Sequence, residues 1–182
     1  MLAQPLFVSS AHMKRITIVG GGASGTLLAV NLLRHAGDAA IEINLVERRS
    51  RVGRGVAFGT MQPSHLLNVP CGRMGAFPGE IGHFHDWLTA NGHICDPHDF
   101  VPRRLFGEYL RHVFNKETVQ LKPNLRLNII DDEAVDMSVN GSSAEVMLRS
   151  GEIVPSHHVV LAFGNFDPPH PSVADLTFID SP

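Results

Sequence analysis

The residues of this chain with the most chemistry to offer are three glycines at a fixed spacing, Gly20-x-Gly22-x-x-Gly25. They follow a short apolar, β-branched run at 15–19 and open a helical, largely apolar stretch at 26–34. In that context the glycines divide the work. Gly20 permits a tight turn, Gly22 lets a pyrophosphate approach the backbone, and Gly25 lets the helix pack closely on the strand. Ala23 and Ser24 then lie in the glycine-rich run that leads into the helix, whose N-terminal N–H groups and positive dipole end favour phosphate. Glu47 stands 22 residues after Gly25, at the end of a second predicted strand, where it would accept hydrogen bonds from ribose hydroxyls. An acid there favours a dinucleotide without a 2′-phosphate, although Arg48 beside it offers a phosphate partner instead. The plain alternative is a glycine-rich turn that binds nothing; strand, helix and acid together argue for a dinucleotide site.

Other reactive side chains form weaker patterns. Cys71 and Cys95 lie 24 positions apart without CxxC spacing, which indicates neither a disulfide framework nor a dithiol redox pair. His83, His85, His93, Cys95 and His98 fall within sixteen residues, yet His83 and His85 are two apart on a predicted helix and face different ways. Exposed or partly packed histidines are expected there and no metal site. Phe84, Trp87 and Leu88 read as a core stripe rather than a stacking platform. No Ser-His-Asp or Cys-His arrangement carries a recognisable local motif.

Regular elements must hold these residues in place. Residues 41–47 alternate apolar and polar at period two and predict the second strand. Glycines and prolines punctuate 51–80, predicting a long shaped loop of the kind that carries function. Helices are predicted over 81–91, closed by Gly92, and from Pro102, with Leu105, Phe106, Tyr109, Leu110, Val113 and Phe114 on one face; both are expected to pack on the sheet. Strands follow at 125–130, 134–139, 144–148 and 152–154. Asn140-Gly141 and Ser150-Gly151 make the last three an antiparallel meander. An apolar strand at 158–164 ends in Gly164, and the prolines of 167–171 cannot extend it.

That ending separates two kinds of dinucleotide domain. A nicotinamide domain would keep alternating strand and helix through a second half. With a meander in place of a helical crossover, the sequence resembles the FAD-binding domain of two-dinucleotide-binding-domain flavoproteins. The stretches Gly55-Val56-Ala57-Phe58, His65-Leu66-Leu67-Asn68-Val69-Pro70, Met74, Phe84-x-x-Trp87-Leu88 and Pro102-Arg103-Arg104-Leu105-Phe106-Gly107-Glu108-Tyr109-Leu110 are similar to a bacterial family of FAD/NAD(P)-binding proteins. That family is distantly related to flavin-dependent N-hydroxylating monooxygenases, and the resemblance spans roughly 16–169. It implies that Gly20, Gly22, Gly25 and Glu47 hold the ADP half, that Gly53 and Gly55 lie near pyrophosphate or ribityl, that Asn68 and Met74 approach the isoalloxazine, and that Gly164 closes the flavin side. Phe163 stands where the family's closing Ala-Thr-Gly has threonine, which removes a side-chain contact there. Arg103 or Arg104 is either a phosphate contact or part of a solvated helix start with an Arg104 to Glu108 pair. Asn68 is either a flavin contact or a turn-forming asparagine before Val-Pro.

Composition narrows the rest. Among 182 residues, 43% are hydrophobic and 18% charged, enough for a core without staples. A formal net charge of -3 with no basic stripe argues against a nucleic-acid or anionic-membrane partner. Residues 1–12 fit neither a signal peptide nor a membrane span and are expected to form a flexible extension. The expected domain is a Rossmann-like, three-layer α/β FAD/NAD(P)-binding unit over 13–169, with parallel sheet and small meander, followed by a linker start at 170–182. The expected function is the FAD domain of a cytoplasmic NAD(P)H-dependent flavoprotein oxidoreductase, monooxygenase-like, with NAD(P)H as co-substrate and an unknown small-molecule substrate. The alternatives are a non-catalytic dinucleotide-binding module and the NAD-binding domain of a small dehydrogenase. One dinucleotide fold fills the length, so the chain is expected to work as a homo-oligomer or with a further domain beyond residue 182.

Overall fold

In the computed structural model, residues 13–48 and 52–164 are described; the predicted N-terminal extension, the proline-rich stretch after Gly164 and the linker start lie outside them. Strand β1 (Lys14–Val19) leads into helix α1 (Ala23–His35), and β2 (Ile41–Val46) follows. The glycine-rich loop contains one turn of helix, α2 (Gly55–Phe58), and a 3₁₀ turn at Cys71–Arg73. Then come α3 (His83–Ala90), α4 (Arg103–Thr118) and β3 (Leu125–Ile130). The meander is β4 (Ala134–Asn140), β5 (Ser143–Leu148) and β6 (Ile153–Ser156), and β7 (His158–Leu161) closes the order.

The strands form a four-stranded parallel sheet in the order β3-β2-β1-β7 and a three-stranded antiparallel sheet in the order β4-β5-β6. Period-two geometry decides what each face of β1 and β2 meets. Ile16, Ile18, Ile43 and Leu45 join Ala29, Val30 and Leu33 of α1 in the main core. On the opposite face Val46 packs with Val146, Leu148 and Val154 of the meander, and Val19 lies beside them. The alternation read in β2 is therefore real, but its polar face is only partly solvated. Asn44 is 6% exposed and accepts a hydrogen bond from Asn128 Nδ2 of β3 at 2.9 Å. Thr17 and Ser156, both buried, pair hydroxyl to hydroxyl between β1 and the end of β6. The buried groups on this face are satisfied by one another and, for Asn44, by Asn128 at the exposed edge.

The two later helices differ from expectation in what they touch. Helix α4 packs chiefly on α1 and α2, and α3 on α4 and the 3₁₀ turn, so together they extend the helical layer over α1 instead of each lying directly on the sheet. Aromatic rings join that layer: Phe106 meets Phe58 at 4.8 Å and Phe84 at 5.0 Å between centroids. Trp87 stacks on Phe84 at 6.2 Å within the same cluster, the core role expected for it.

Candidate functional site

The glycine turn after β1 is shaped by backbone contacts that side chains would prevent. Gly20 has φ +107, and a Cβ on it would run into the Ala162 carbonyl and lie 2.9 Å from Phe163 Cα. The end of β7 is thus laid against the turn, held by Ala162 N–H donating to Val19 O at 2.7 Å. A Cβ on Gly25 would collide with the Gly20 carbonyl and sit 3.2 Å from Ile18 Cγ2. This is the close helix-to-strand approach that the spacing predicted. Gly22 faces Gly55: a Cβ on Gly55, whose φ is +53, would come 3.1 Å from Gly22 Cα, and one on Gly22 would fill the gap toward Gly55 Cα at 3.6 Å.

Helix α1 starts without help from its own side chains. Its N-cap is Gly22, with no side-chain cap hydrogen bond and no acidic residue in the first turn. Among the described residues no acceptor is assigned to the N–H groups of Gly22, Ala23 and Ser24, while Thr26 N–H reaches Gly22 O at 3.0 Å. Ser24 is exposed and Ala23 partly so. An uncapped helix end with a Cβ-free approach is the donor set an anion needs, so the residues present fit a dinucleotide pyrophosphate. Glu47 borders the same turn: its Oε2 accepts from Gly21 N–H at 2.9 Å, and its own N–H donates to Ile130 O at 2.9 Å. One carboxylate oxygen is thereby fixed on the glycine turn at the carboxyl end of β2, where a ribose belongs.

One residue that organises this region is absent from the sequence pattern. Thr26 is 1% exposed; its hydroxyl donates to Gly21 O at 2.9 Å and accepts from Gly53 N–H at 2.9 Å. Gly53 N–H also reaches Gly21 O at 2.9 Å. The hydroxyl therefore stitches the glycine turn to the 53–55 loop. A hydroxyl on the otherwise apolar inner face of α1 is the only signal the sequence gives of it.

The remaining candidates are dispersed. Arg48 turns away from the glycine turn to Glu133, 3.6 Å distant, and Glu133 also binds Arg149 at 2.9 Å. Arg104 pairs with Glu108 at 3.1 Å, and Arg103 Nε donates to Leu66 O at 2.9 Å, tying α4 to the segment before Asn68. Arg104 lies one turn before Gly107, where a Cβ would meet Phe58 O at 2.6 Å, so α2 seats on this part of α4. Asn68 is exposed, and Met74 is half-buried against the main core. Gly164 has φ +77 with open space around it, so the contact from this end of the chain comes from Ala162 and Phe163.

The histidines diverge as predicted: His83 Nδ1 bonds the Tyr109 hydroxyl at 2.6 Å, and His85 Nε2 lies 3.1 Å from Cys95 O. The cysteines do not stay apart. Both are free, and the Cys71 and Cys95 sulfurs are 4.0 Å from each other, a proximity their spacing gave no hint of. Burial, then the neighbouring Cys95, pushes the Cys71 thiol up to about 11.

A strand–glycine turn–helix unit, an acid at the end of the next strand and a covering meander define a dinucleotide-binding α/β domain of the three-layer kind. The chain belongs to the FAD-NAD(P)-binding family, which matches residues 17–166. Solved structures of similar fold include a flavin-containing monooxygenase from Stenotrophomonas maltophilia, 20% identical with a TM-score of 0.58, covering 86% of this chain and 42% of that one. Another is OTEMO in an FAD-bound form, at 16% identity and TM-score 0.56, covering 87% and 26%. A third is the Diels-Alderase PyrE3 of pyrroindomycin biosynthesis, at 16% and 0.52, covering 84% and 32%. This chain thus spans less than half the length of each, and at these identities the likeness concerns fold alone. No curated protein matches the sequence. Among the described residues no helix is long and apolar enough to cross a membrane.

Proposed function

We propose that this chain is the FAD-binding domain of an NAD(P)H-dependent flavoprotein oxidoreductase of the monooxygenase kind. The observation that carries the reading is the convergence of three backbone segments, 20–25, 53–55 and 162–163, around an uncapped helix end, with Glu47 fixed at its rim. In this reading Gly22, Ala23 and Ser24 donate to the pyrophosphate, and Gly20 and Gly25 hold the turn that aims them. Glu47 accepts from the ribose, Gly53 and Gly55 form the opposite wall, and Gly164 lies toward the flavin. Asn68 and Met74 approach the ring, and Arg104 reaches phosphate by sharing its charge with Glu108. Arg48 is a partner of Glu133 in this reading and leaves the ribose to Glu47. When bound, flavin supplies hydride acceptance from nicotinamide and electron delivery to oxygen or another acceptor. The chain's own residues have to bind and orient it, so a site without a nucleophile or general base is consistent with the proposal. A cytoplasmic setting suits the two free thiols.

The test is reconstitution of the purified 182-residue chain with FAD, followed by gel filtration and a visible spectrum. Oxidised-flavin absorbance travelling with the protein, bleached by NADH or NADPH when the oxidoreductase site is complete, is the expected result. A protein that stays colourless with FAD but binds NAD in calorimetry would overturn the flavin assignment in favour of a nicotinamide domain.

A further inference from the structure

The geometry points to a thiolate-rich site for a divalent cation, zinc by its chemistry, formed by Cys71, Cys95 and His85. These three come from three different pieces of chain: the 3₁₀ turn at Cys71–Arg73, helix α3, and the loop that follows it. One ligand atom from each lies within 4.8 Å of the other two, and the two sulfurs are 4.0 Å apart. Two Zn–S bonds of about 2.3 Å at the tetrahedral angle place their sulfurs about 3.8 Å apart. The observed separation is close to that edge. A disulfide, by contrast, needs a sulfur–sulfur bond of about 2.05 Å, an approach of about 2 Å from here.

The surrounding backbone holds the ligand-bearing segments together. Cys71 N–H donates to Asp99 O at 2.9 Å and Gly72 N–H to Pro97 O at 2.8 Å, clamping the 95–99 loop onto the turn. A Cβ on Gly72 would lie 2.6 Å from Pro97 Cβ, so glycine is needed for that approach. Within the loop, Asp99 Oδ2 accepts from Asp96 N–H at 2.8 Å and Asp96 Oδ1 from His98 N–H at 2.9 Å, which sets its course independently of any ligand. His85 has Nε2 toward this loop and Nδ1 toward the Asp86 carboxylate 4.0 Å away. At that distance Asp86, which is exposed, marks the Nδ1 side of the ring without hydrogen-bonding it. Cys71 is fully buried, while Cys95 and His85 are partly exposed, which gives a cation an entry side. Two sulfurs and one imidazole select zinc over hard cations and leave a fourth position for water. On binding, each thiol gives up its proton to solvent, Cys71 exchanges its contact with Asp96 O for the metal, His85 Nε2 exchanges its contact with Cys95 O for it with the ring proton on Nδ1, and no electron changes hands.

The experiment uses the reduced, chelator-stripped 182-residue chain titrated with Co²⁺ and then Zn²⁺. Expected are thiolate-to-cobalt charge-transfer absorption saturating at one equivalent, its bleaching by Zn²⁺, and protection of both thiols from alkylation. Cys95→Ala and His85→Gln should each weaken Zn²⁺ binding by at least about tenfold, while the exposed His98→Ala leaves it unchanged. His85→Gln keeps the test decisive if a cysteine variant fails to fold. Absence of the charge-transfer band, a band indifferent to Cys95→Ala and His85→Gln, or air oxidation to a Cys71–Cys95 disulfide at the same rate with and without Zn²⁺ would each overturn the assignment. None of these outcomes depends on the dinucleotide end.

Discussion

Replacing Thr26 by valine isolates the hydroxyl that joins the two glycine loops. Valine keeps the shape of threonine and its buried apolar contacts, so the change removes two hydrogen bonds of 2.9 Å and little else. Gly21 O and Gly53 N–H still have each other at 2.9 Å, so neither backbone group is stranded, and the larger penalty of an orphaned buried donor does not apply. Two lost bonds at about 0.5–1.5 kcal/mol each, partly offset by burying a methyl group in place of a hydroxyl, predict a loss of about 1–2 kcal/mol. For a chain of this size that lowers the melting midpoint by about 2–8 °C. Urea unfolding should show a lower midpoint at unchanged slope, because the native fold persists. Thr26→Ser keeps the hydroxyl and loses only a methyl group, so it should retain dinucleotide affinity while Thr26→Val weakens it. A valine variant with wild-type midpoint and wild-type FAD affinity would refute the claim that this hydroxyl sets the geometry of the cradle.

Tyr109 gives a prediction in pH. Its hydroxyl accepts from Ala76 N–H at 2.8 Å, and burial pushes the phenol up to about 12. The unfolded chain loses this proton near pH 10 while the folded chain keeps it, so stability is intact below pH 10 and falls as pH rises toward 12, by about 3 kcal/mol in all. As the chain has a single tyrosine, phenolate absorbance reports the titration directly, and Tyr109→Phe should remove this contribution to the slope; an ordinary tyrosine titration in the folded protein would refute it. Gly25→Ala places a methyl group on the Gly20 carbonyl, and overpacking there should cost about 1–3 kcal/mol in urea unfolding together with loss of FAD binding. A variant that matches wild type in both would show that the turn relaxes freely.

The order of elements is legible in the sequence because local signals agree with the final fold. Glycine at the C-terminal side of α1 and α3 appears as Gly37 at φ +57 and Gly92 at φ +80, and Gly141 and Gly151 turn the meander at the two hairpin dipeptides. The cradle's glycines are legible because their function requires the absence of a side chain, which leaves a mark in sequence. Its other parts are hidden by distance along the chain. Thr26 looks like any polar residue inside a helix until Gly53 is folded against it. Cys71 and Cys95 look unrelated because the clamp that unites them consists of main-chain hydrogen bonds, which carry no residue signature. The packing partner of α4 is hidden for a similar reason: its apolar face specifies burial but not the partners, which are chiefly α1 and α2. Arg48 and Arg104 are ambiguous in sequence since a surface charge takes whatever partner the fold brings near, here Glu133 and Glu108.

The pairing of β1 with β7 has a consequence for how the cradle comes into being. Thr17 meets Val159 across the ladder, and Arg15 N–H donates to His157 Nδ1 over 142 positions of chain. Contacts of such long range incur their loop-closure entropy before they are rewarded, and they slow folding. Gly20 rests against Ala162 and Phe163, so during synthesis the glycine turn emerges early but lacks this second wall until β7 has been made and docked. A dinucleotide would then find its site only on the finished sheet, and by binding that state alone it would act as a latch on the β1–β7 seam.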